Sequence, residues 1–250
     1  MLVSVIIPSR NELKNLLWTL QGVFEWLPTD GEVIVVLNQC EQAEHDRLAQ
    51  IPYPNLKVVR YDERPSCWQA RNAGAAVATG EYLVFLDSHV MFQGASLPLA
   101  LYWHRGWQGI LGFALNYWLD HPSRTLYQYK WRPDKFWGDW TRKKPQAPDY
   151  RVLMSGMNLM VDRAVFNCIG GFHPALGIYG GGEPYLWLKA QMYGYEARAH
   201  PEFQVWHWAE KRGYSWNNDD LWRNFMIAAW ALGGANHLDL LYTTYRERFK

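Results

Sequence analysis

Asp87 and His89 stand two residues apart, directly after the apolar run Tyr82-Leu83-Val84-Phe85-Leu86 that is entered from Thr79-Gly80. A short run rich in β-forming residues reads as a buried strand of an α/β sheet. In open α/β sheets the ligand binds in the crevice beyond the carboxyl ends of the strands, so both side chains emerge where a ligand is expected. Their spacing in extended chain lets them turn to one side and grip one ion. A carboxylate oxygen with an imidazole nitrogen suits Mn2+ or another first-row divalent ion better than Mg2+, which prefers oxygen shells. The same residues also read as an Asp capping a following helix beside an incidental surface His. An ion needs further ligands. His207, in Phe203-Gln204-Val205-Trp206-His207-Trp208, follows another predicted strand end and is the best candidate, although a core histidine with satisfied hydrogen bonds fits that position equally well. His104, His121, His173 and His200 sit in less constrained settings.

The elements that must position these groups follow from hydrophobic periodicity. Leu2 to Ile7 predicts a strand stopped by Pro8, and Asn11 to Trp26 a helix with Asn11 as its cap. Glu32 to Leu37 and Leu56 to Tyr61 predict further strands, separated by a short helix over Glu41 to Gln50. Pro65 to Ala78 is Ala-rich and helical, with Pro tolerated in a first turn, and leads into the central strand. This alternation predicts an α/β fold with a doubly wound, mostly parallel sheet and helices on both faces. Later come a helix over Ala95 to Arg105, a strand over Ile110 to Tyr117, and a long irregular stretch from Leu119 to Tyr150 with four prolines. Then follow a strand over Met157 to Val161, one helical turn over Arg163 to Cys168, and a glycine-rich segment leading to a helix over Glu183 to Tyr193. A strand over Tyr195 to Ala199 and an amphipathic helix over Trp216 to Leu232 complete the reading.

At 250 residues the chain can bury one large α/β core, and a formal charge of +1 demands neither nucleic acid nor a membrane surface. The 15 Trp and 15 Tyr suit sugar- and base-binding clefts as well as cores. Three scattered cysteines, Cys40, Cys67 and Cys168, argue against a disulfide framework and for a reducing compartment. With no signal-like N-terminus and no run of membrane-spanning length, a cytoplasmic protein is expected. Between Arg124 and Lys144, basic residues (Lys130, Arg132, Lys135, Arg142, Lys143) interleave with aromatics such as Tyr129, Trp131, Trp137 and Trp140. Such a surface could hold a nucleic acid, or its aromatics could pack back on the sheet.

Val3-Ser4-Val5-Ile6-Ile7-Pro8-Ser9-Arg10-Asn11-Glu12 resembles the opening strand and loop of GT-A-fold glycosyltransferases. Arg64, Ala70-Arg71-Asn72-Ala73-Gly74-Ala75, Gly80 and Phe85-Leu86-Asp87-Ser88-His89 resemble, more specifically, the polypeptide N-acetylgalactosaminyltransferases, whose metal motif is Asp-x-His. The likeness continues in order through Met154-Ser155-Gly156, Gly170-Gly171-Phe172, Gly181-Gly182-Glu183, Val205-Trp206-His207, Tyr214-Ser215 and Arg223-Asn224. It implies one GT-A catalytic domain over 1–250, with a nucleotide-binding half (1–92) and a sugar and acceptor half (93–250). It also implies a nucleotide-sugar donor, first a UDP-sugar, and Mn2+ held by Asp87, His89 and His207. Pro8, Ser9, Arg10, Asn38, Arg64, Arg71, Ser88, Gly156, Gly181, Gly182 and Glu183 are then the donor-binding residues, with Asp87 and Glu183 at the catalytic centre. Gly181 and Gly182 are expected to let backbone approach the sugar, and Glu183 to position hydroxyls.

The family retains anomeric configuration, which needs no protein nucleophile. An inverting enzyme with Glu183 as base, an Asp-His-His metallohydrolase and a non-catalytic carbohydrate-binding protein are the alternatives. Where relatives carry a nucleotide-contacting acid pair, this chain has Leu37-Asn38, which leaves base recognition open. The sequence shows no membrane anchor, lumenal cysteine set or C-terminal lectin domain like those of the animal enzymes. A polypeptide acceptor therefore does not follow from the resemblance, and a modified DNA base stays open.

Overall fold

The computed structural model describes residues 2–117, 125–146, 153–154, 158–208 and 214–246. The first part of the chain runs β1 (Val3–Ser9), α1 (Leu13–Trp26), β2 (Glu32–Asn38), α2 (Gln42–Ala49), β3 (Leu56–Tyr61), α3 (Cys67–Val77), β4 (Tyr82–Phe85) and β5 (Val90–Phe92). There follow α4 (Ser96–His104), β6 (Gly109–Tyr117), β7 (Thr125–Leu126), β8 (Gln128–Arg132), β9 (Trp137–Thr141) and β10 (Leu153–Met154). The last elements are β11 (Leu159–Asp162), α5 (Arg163–Cys168), α6 (Gly182–Met192), β12 (Glu196–His207) and α7 (Asn218–Tyr245).

Every residue of β1 and β2 is buried, because the sheet is covered on both faces. Strand alternation sends Ile6, Ile34 and Val36 into a core with α3, α5, α6 and α7. Val5, Ile7, Val33 and Val35 point the other way, against Leu16 and Leu20 of α1, Leu48 of α2 and Leu97 of α4. The main sheet runs β3-β2-β1-β4-β11-β6-β12-β5, with β7 paired to β6. It is parallel from β3 to β4 and mixed beyond, where β11 pairs antiparallel with both β4 and β6. The order reverses between β1 and β4: successive strands step away on one side, then β4 returns to the other. That reversal opens a crevice at the carboxyl ends of these two strands.

Glu32 locks the sheet from inside. Its carboxylate accepts hydrogen bonds from Ser4 Oγ, the Thr79 N–H and Thr79 Oγ1, each at 2.7 Å, and pairs with Lys57 at 2.5 Å. Burial works to raise its pKa, but these partners outweigh it and bring the group down to about 2.

Five expectations change. Pro8 does not stop the first strand: β1 runs through it to Ser9, pairing with Val36 and Leu37 of β2. Asn11 does not cap α1: it takes a left-handed conformation (φ 54°), and Glu12 occupies the cap position without a side-chain cap bond. The stretch after Leu119 is not irregular throughout, since β8 and β9 form a hairpin that pairs with β10 in a three-stranded antiparallel sheet. Pro133 sits in the turn of that hairpin, where its missing N–H costs no ladder bond. The short strand at Tyr195 is the start of β12, which crosses Pro201 by a register shift between His200 and Gln204. The last helix runs on to Tyr245 past a bend at Gly234 (φ 59°), and it begins at a capping box of Asn217 and Asp220. Among the described residues no helix is long and apolar enough to cross a membrane.

Candidate active site

A cleft of about 320 Å³ lies in the crevice between β1 and β4, within the size range of small-ligand sites. β4 ends at Phe85, and the chain carries Asp87, Ser88 and His89 across the cleft before turning into β5. Antiparallel pairing of β5 with β12 sets Val90 opposite His207, and the Trp208 N–H donates to the His89 carbonyl at 2.9 Å. This pairing joins residues more than a hundred positions apart. The two rings lie 4.8 Å apart and nearly perpendicular.

Asp87 completes the group. The buried Arg71 guanidinium donates to its Oδ1 at 2.5 Å, while Oδ2 faces His89 Nε2 at 3.9 Å and His207 Nε2 at 3.8 Å. One ligand atom from each of the three residues lies within 4.8 Å of the others. Burial works to raise the Asp87 pKa, but His207, the Arg71 cation and His89 outweigh it and hold the carboxyl well below its usual range. His89 offers Nε2 to this group with no hydrogen-bond partner, while its Nδ1 lies 2.7 Å from Glu12 Oε2. An ionised carboxylate, two imidazoles and a buried nitrogen lacking a partner fit a divalent cation.

The cleft wall also fits an anionic ligand that arrives with a cation. Glu12, Asp87 and Glu183 face Arg10 and Arg71, so among the described lining residues carboxylates outnumber guanidiniums. A diphosphate needs a further positive charge there. Pro8 and Ser9 close β1 and Arg10 follows it, and Nη1 of Arg10 is buried without a hydrogen-bond partner. Ser88 lines the cleft and donates its hydroxyl to Glu12 at 2.9 Å. Glu183 enters from the first turn of α6. Cys67 also lines the cleft, but burial pushes its thiol up to about 12, which removes the thiolate a nucleophile would need.

Several predicted contacts fall elsewhere. Arg64 does not line the cleft; its guanidinium donates to the carbonyls of Pro174 and Leu176 and ties the glycine-rich segment to the loop after β3. Asn38 does line it, but its amide donates to the Tyr61 and Arg64 carbonyls, both at 2.9 Å, and accepts the Ser66 N–H at 2.8 Å. That side chain clamps backbone and has no N–H left for a base. Gly181 and Gly182 do not open onto the cleft. A Cβ on Gly182 would lie 2.4 Å from the Trp68 ring, and one on Gly181 would lie 2.5 Å from the Asn224 carbonyl oxygen. Both glycines are required by packing, and the neighbouring Gly180 is the one that lines the site. Gly156 lies outside the described residues.

Trp140 of the basic and aromatic stretch lines the cleft, as do Glu12, Trp68, Asn158 and Tyr179, which were not assigned to the site from the sequence. Of these, only Glu12 had a readable signal, an acid just past the end of the first strand. The basic stretch is partly neutralised. Arg132 pairs with Asp134 and Asp139, and Lys144 with Glu202. Arg124 lies outside the described residues, and of Lys130 only the backbone is described. The other described histidines stand apart from the site: His104, for example, is buried against Asp162 at 2.9 Å, as a core histidine, while His121 lies outside the described residues.

Residues 4–170 match the family model described as glycosyl transferase family 2. The chain belongs to glycosyl transferase family 2. Polypeptide N-acetylgalactosaminyltransferase 5 of Caenorhabditis elegans is 28% identical over 237 residues, covering 85% of this chain and 38% of that protein. Polypeptide N-acetylgalactosaminyltransferase 10 of Homo sapiens is 28% identical over 227 residues, covering 82% and 37%. The family 2 chain thus spans about two fifths of the length of these relatives. Among solved structures, GalNAc-T7 with UDP, GalNAc and Mn2+ superposes with a TM-score of 0.74 at 20% identity, over 99% of this chain and 51% of that one. S. aureus TarS (residues 1–349) with UDP-GlcNAc gives 0.66 at 16% identity, over 100% and 73%. The fold is therefore that of a GT-A glycosyltransferase catalytic domain. A metallohydrolase draws no support from family or fold.

Proposed function

We propose that this chain transfers a sugar from a nucleotide-diphosphate donor, first a UDP-sugar, to a hydroxyl acceptor, with retention at the anomeric carbon and a divalent cation, first Mn2+. The observation that carries this reading is the meeting of Asp87 Oδ2, His89 Nε2 and His207 Nε2 at the strand-order reversal, beside two guanidiniums. The solved GalNAc-T7 with UDP, GalNAc and Mn2+, and the mannosyltransferase PcManGT of Pyrobaculum calidifontis with GDP-Man and Mn2+ (TM-score 0.61 at 19% identity, over 99% of this chain and 74% of that one), support the choice of donor and ion. When bound, the cation neutralises charge on the departing diphosphate. Arg71 holds Asp87 in its ligating orientation, and the Arg10 guanidinium supplies a hydrogen-bond donor to a phosphate or base. Glu183, at the N-terminus of α6, accepts hydrogen bonds from sugar hydroxyls, and Trp68 and Tyr179 form apolar walls. Residues 1–92 form the nucleotide half of one domain and 93–250 the acceptor half. Three free cysteines accord with a cytoplasmic location.

The test is a thermal-unfolding panel of nucleotide sugars with and without Mn2+, followed by determination of the product anomer by NMR. Stabilisation that needs both ligands, and a product of retained configuration, are expected. A gain from nucleotide alone counts against the metal set. An inverted product abolished by Glu183→Gln makes Glu183 the base.

A nucleic-acid acceptor is the second reading, favoured by Trp140, which lines the cleft at 40% exposure close in sequence to Arg142 and Lys143. Neutralising Arg142 and Lys143 should then weaken DNA binding and flatten its salt dependence. Binding that does not respond to salt rejects this reading.

A further inference from the structure

We infer that Glu12 is a positioning residue that fixes the tautomer of His89, leaving Nε2 bare to face a cation; the inference rests on the metal reading of the same site. Glu12 is 5% exposed, and its Oε2 meets both Ser88 Oγ at 2.9 Å and His89 Nδ1 at 2.7 Å. A buried carboxylate oxygen between a hydroxyl and an imidazole is stabilised when both donate to it. The proton of the neutral ring then sits on Nδ1, and the lone pair sits on Nε2. That nitrogen is the one without a hydrogen-bond partner, 3.9 Å from Asp87 Oδ2.

The backbone supports the same role. Glu12 stands at the N-cap of α1, directly after the left-handed Asn11 (φ 54°), and makes no side-chain cap bond. Its carboxylate is spent on Ser88 and His89 rather than on the helix's own N–H groups. Asp87 is held in the same manner by Arg71, so each ligand from the β4 end has one buried partner of opposite polarity.

The test compares wild type with Glu12→Ala and Glu12→Gln, using Mn2+ with UDP as the probe. Nitrogen-15 histidine NMR on the metal-free protein reads the tautomer without any ion. Wild type should show His89 protonated at Nδ1, and Glu12→Ala should show the proton shifted, wholly or in part, to Nε2. Mn2+ affinity in the presence of UDP, read by electron paramagnetic resonance, should fall about 10- to 100-fold in Glu12→Ala. Glu12→Gln keeps an acceptor oxygen and should retain the tautomer with a smaller loss. If Glu12→Ala fails to fold, the wild-type tautomer and Glu12→Gln still decide. An Nε2-protonated His89 in metal-free wild type, or an unchanged tautomer and unchanged Mn2+ affinity in Glu12→Ala, overturns the inference. Wild type that holds the Nδ1–H tautomer yet binds no Mn2+ overturns the metal reading instead, and the two failures are told apart.

Discussion

Gly182→Ala adds one methyl group at the start of α6, and its effect can be worked out from the packing around Trp68. The new Cβ would come within 2.4 Å of Trp68 Cδ2 and Cε3, and 2.5 Å of Cζ3. Carbon atoms at ease sit about 3.5–4.0 Å apart, so ring or helix must retreat by about 1 Å. The indole has little room to do so: it is 1% exposed, with the Phe172 ring at 5.2 Å and the Arg71 guanidinium at 5.2 Å. Overpacking of this kind costs about 1–3 kcal/mol, and the steric demand here places the cost near the upper end. Replacing glycine returns less than about 1 kcal/mol through the unfolded chain, leaving a net loss of about 2–3 kcal/mol. For a domain of this size that lowers Tm by roughly 4–12 °C. Gly106→Ala, where a Cβ meets nothing within 4 Å, is the control and should leave Tm in place. Because Trp68 lines the cleft, nucleotide affinity should fall together with stability. Trp68→Phe should absorb part of the cost, with a coupling of about 0.5–3 kcal/mol in a double-mutant cycle. A Gly182→Ala protein as stable as wild type, or a cost unchanged in the Trp68→Phe background, refutes the reasoning.

Wild type with nucleotide and Mn2+ at about a hundred times the dissociation constant should gain about 2.7 kcal/mol, whereas His207→Ala with affinity weakened about 100-fold should gain only about 0.4 kcal/mol. Thermal unfolding reads the difference, and an undiminished gain removes His207 from the ligand set. Glu32 has a folded pKa of about 2 against an ordinary 4.5. Its contribution, at most about 3 kcal/mol, is present above pH 4.5 and is lost as pH falls toward 2. Urea unfolding at a series of pH values should show Glu32→Gln with a flatter acid limb, and parallel curves would remove the charge from the explanation. Asn38→Asp sets an oxygen against the Tyr61 and Arg64 carbonyls and should cost about 2 kcal/mol or more without raising uridine-nucleotide affinity. An intact fold with tighter UDP binding would make Asn38 a base reader after all.

The first part of the fold was legible because β1, β2 and β4 are continuous apolar runs, and such runs are what a sheet covered on both faces demands. The Asp-x-His pair was legible for the same reason, as polar residues immediately beyond a strand end. The hairpin of β8 and β9 was not, because prolines and interleaved charges conceal alternation when only one face is buried. Arg64, Asn38, Gly181 and Gly182 were assigned to the donor because they stand at positions of the family resemblance. Nothing local says whether an amide or a Cα faces the cleft or the chain behind it, and in these four cases neighbouring backbone or the Trp68 ring claims the space.

Local order thus determined which segments became strands and helices, and it determined that a carboxylate and an imidazole would leave the sheet together. Tertiary pairing alone decided that His207 meets them, since its place depends on the register of β12 against β5. It alone also decided that Glu12 turns from its own helix to His89. Contacts between distant strands are set by the packing of two cores at once, and no window of neighbouring residues contains that information.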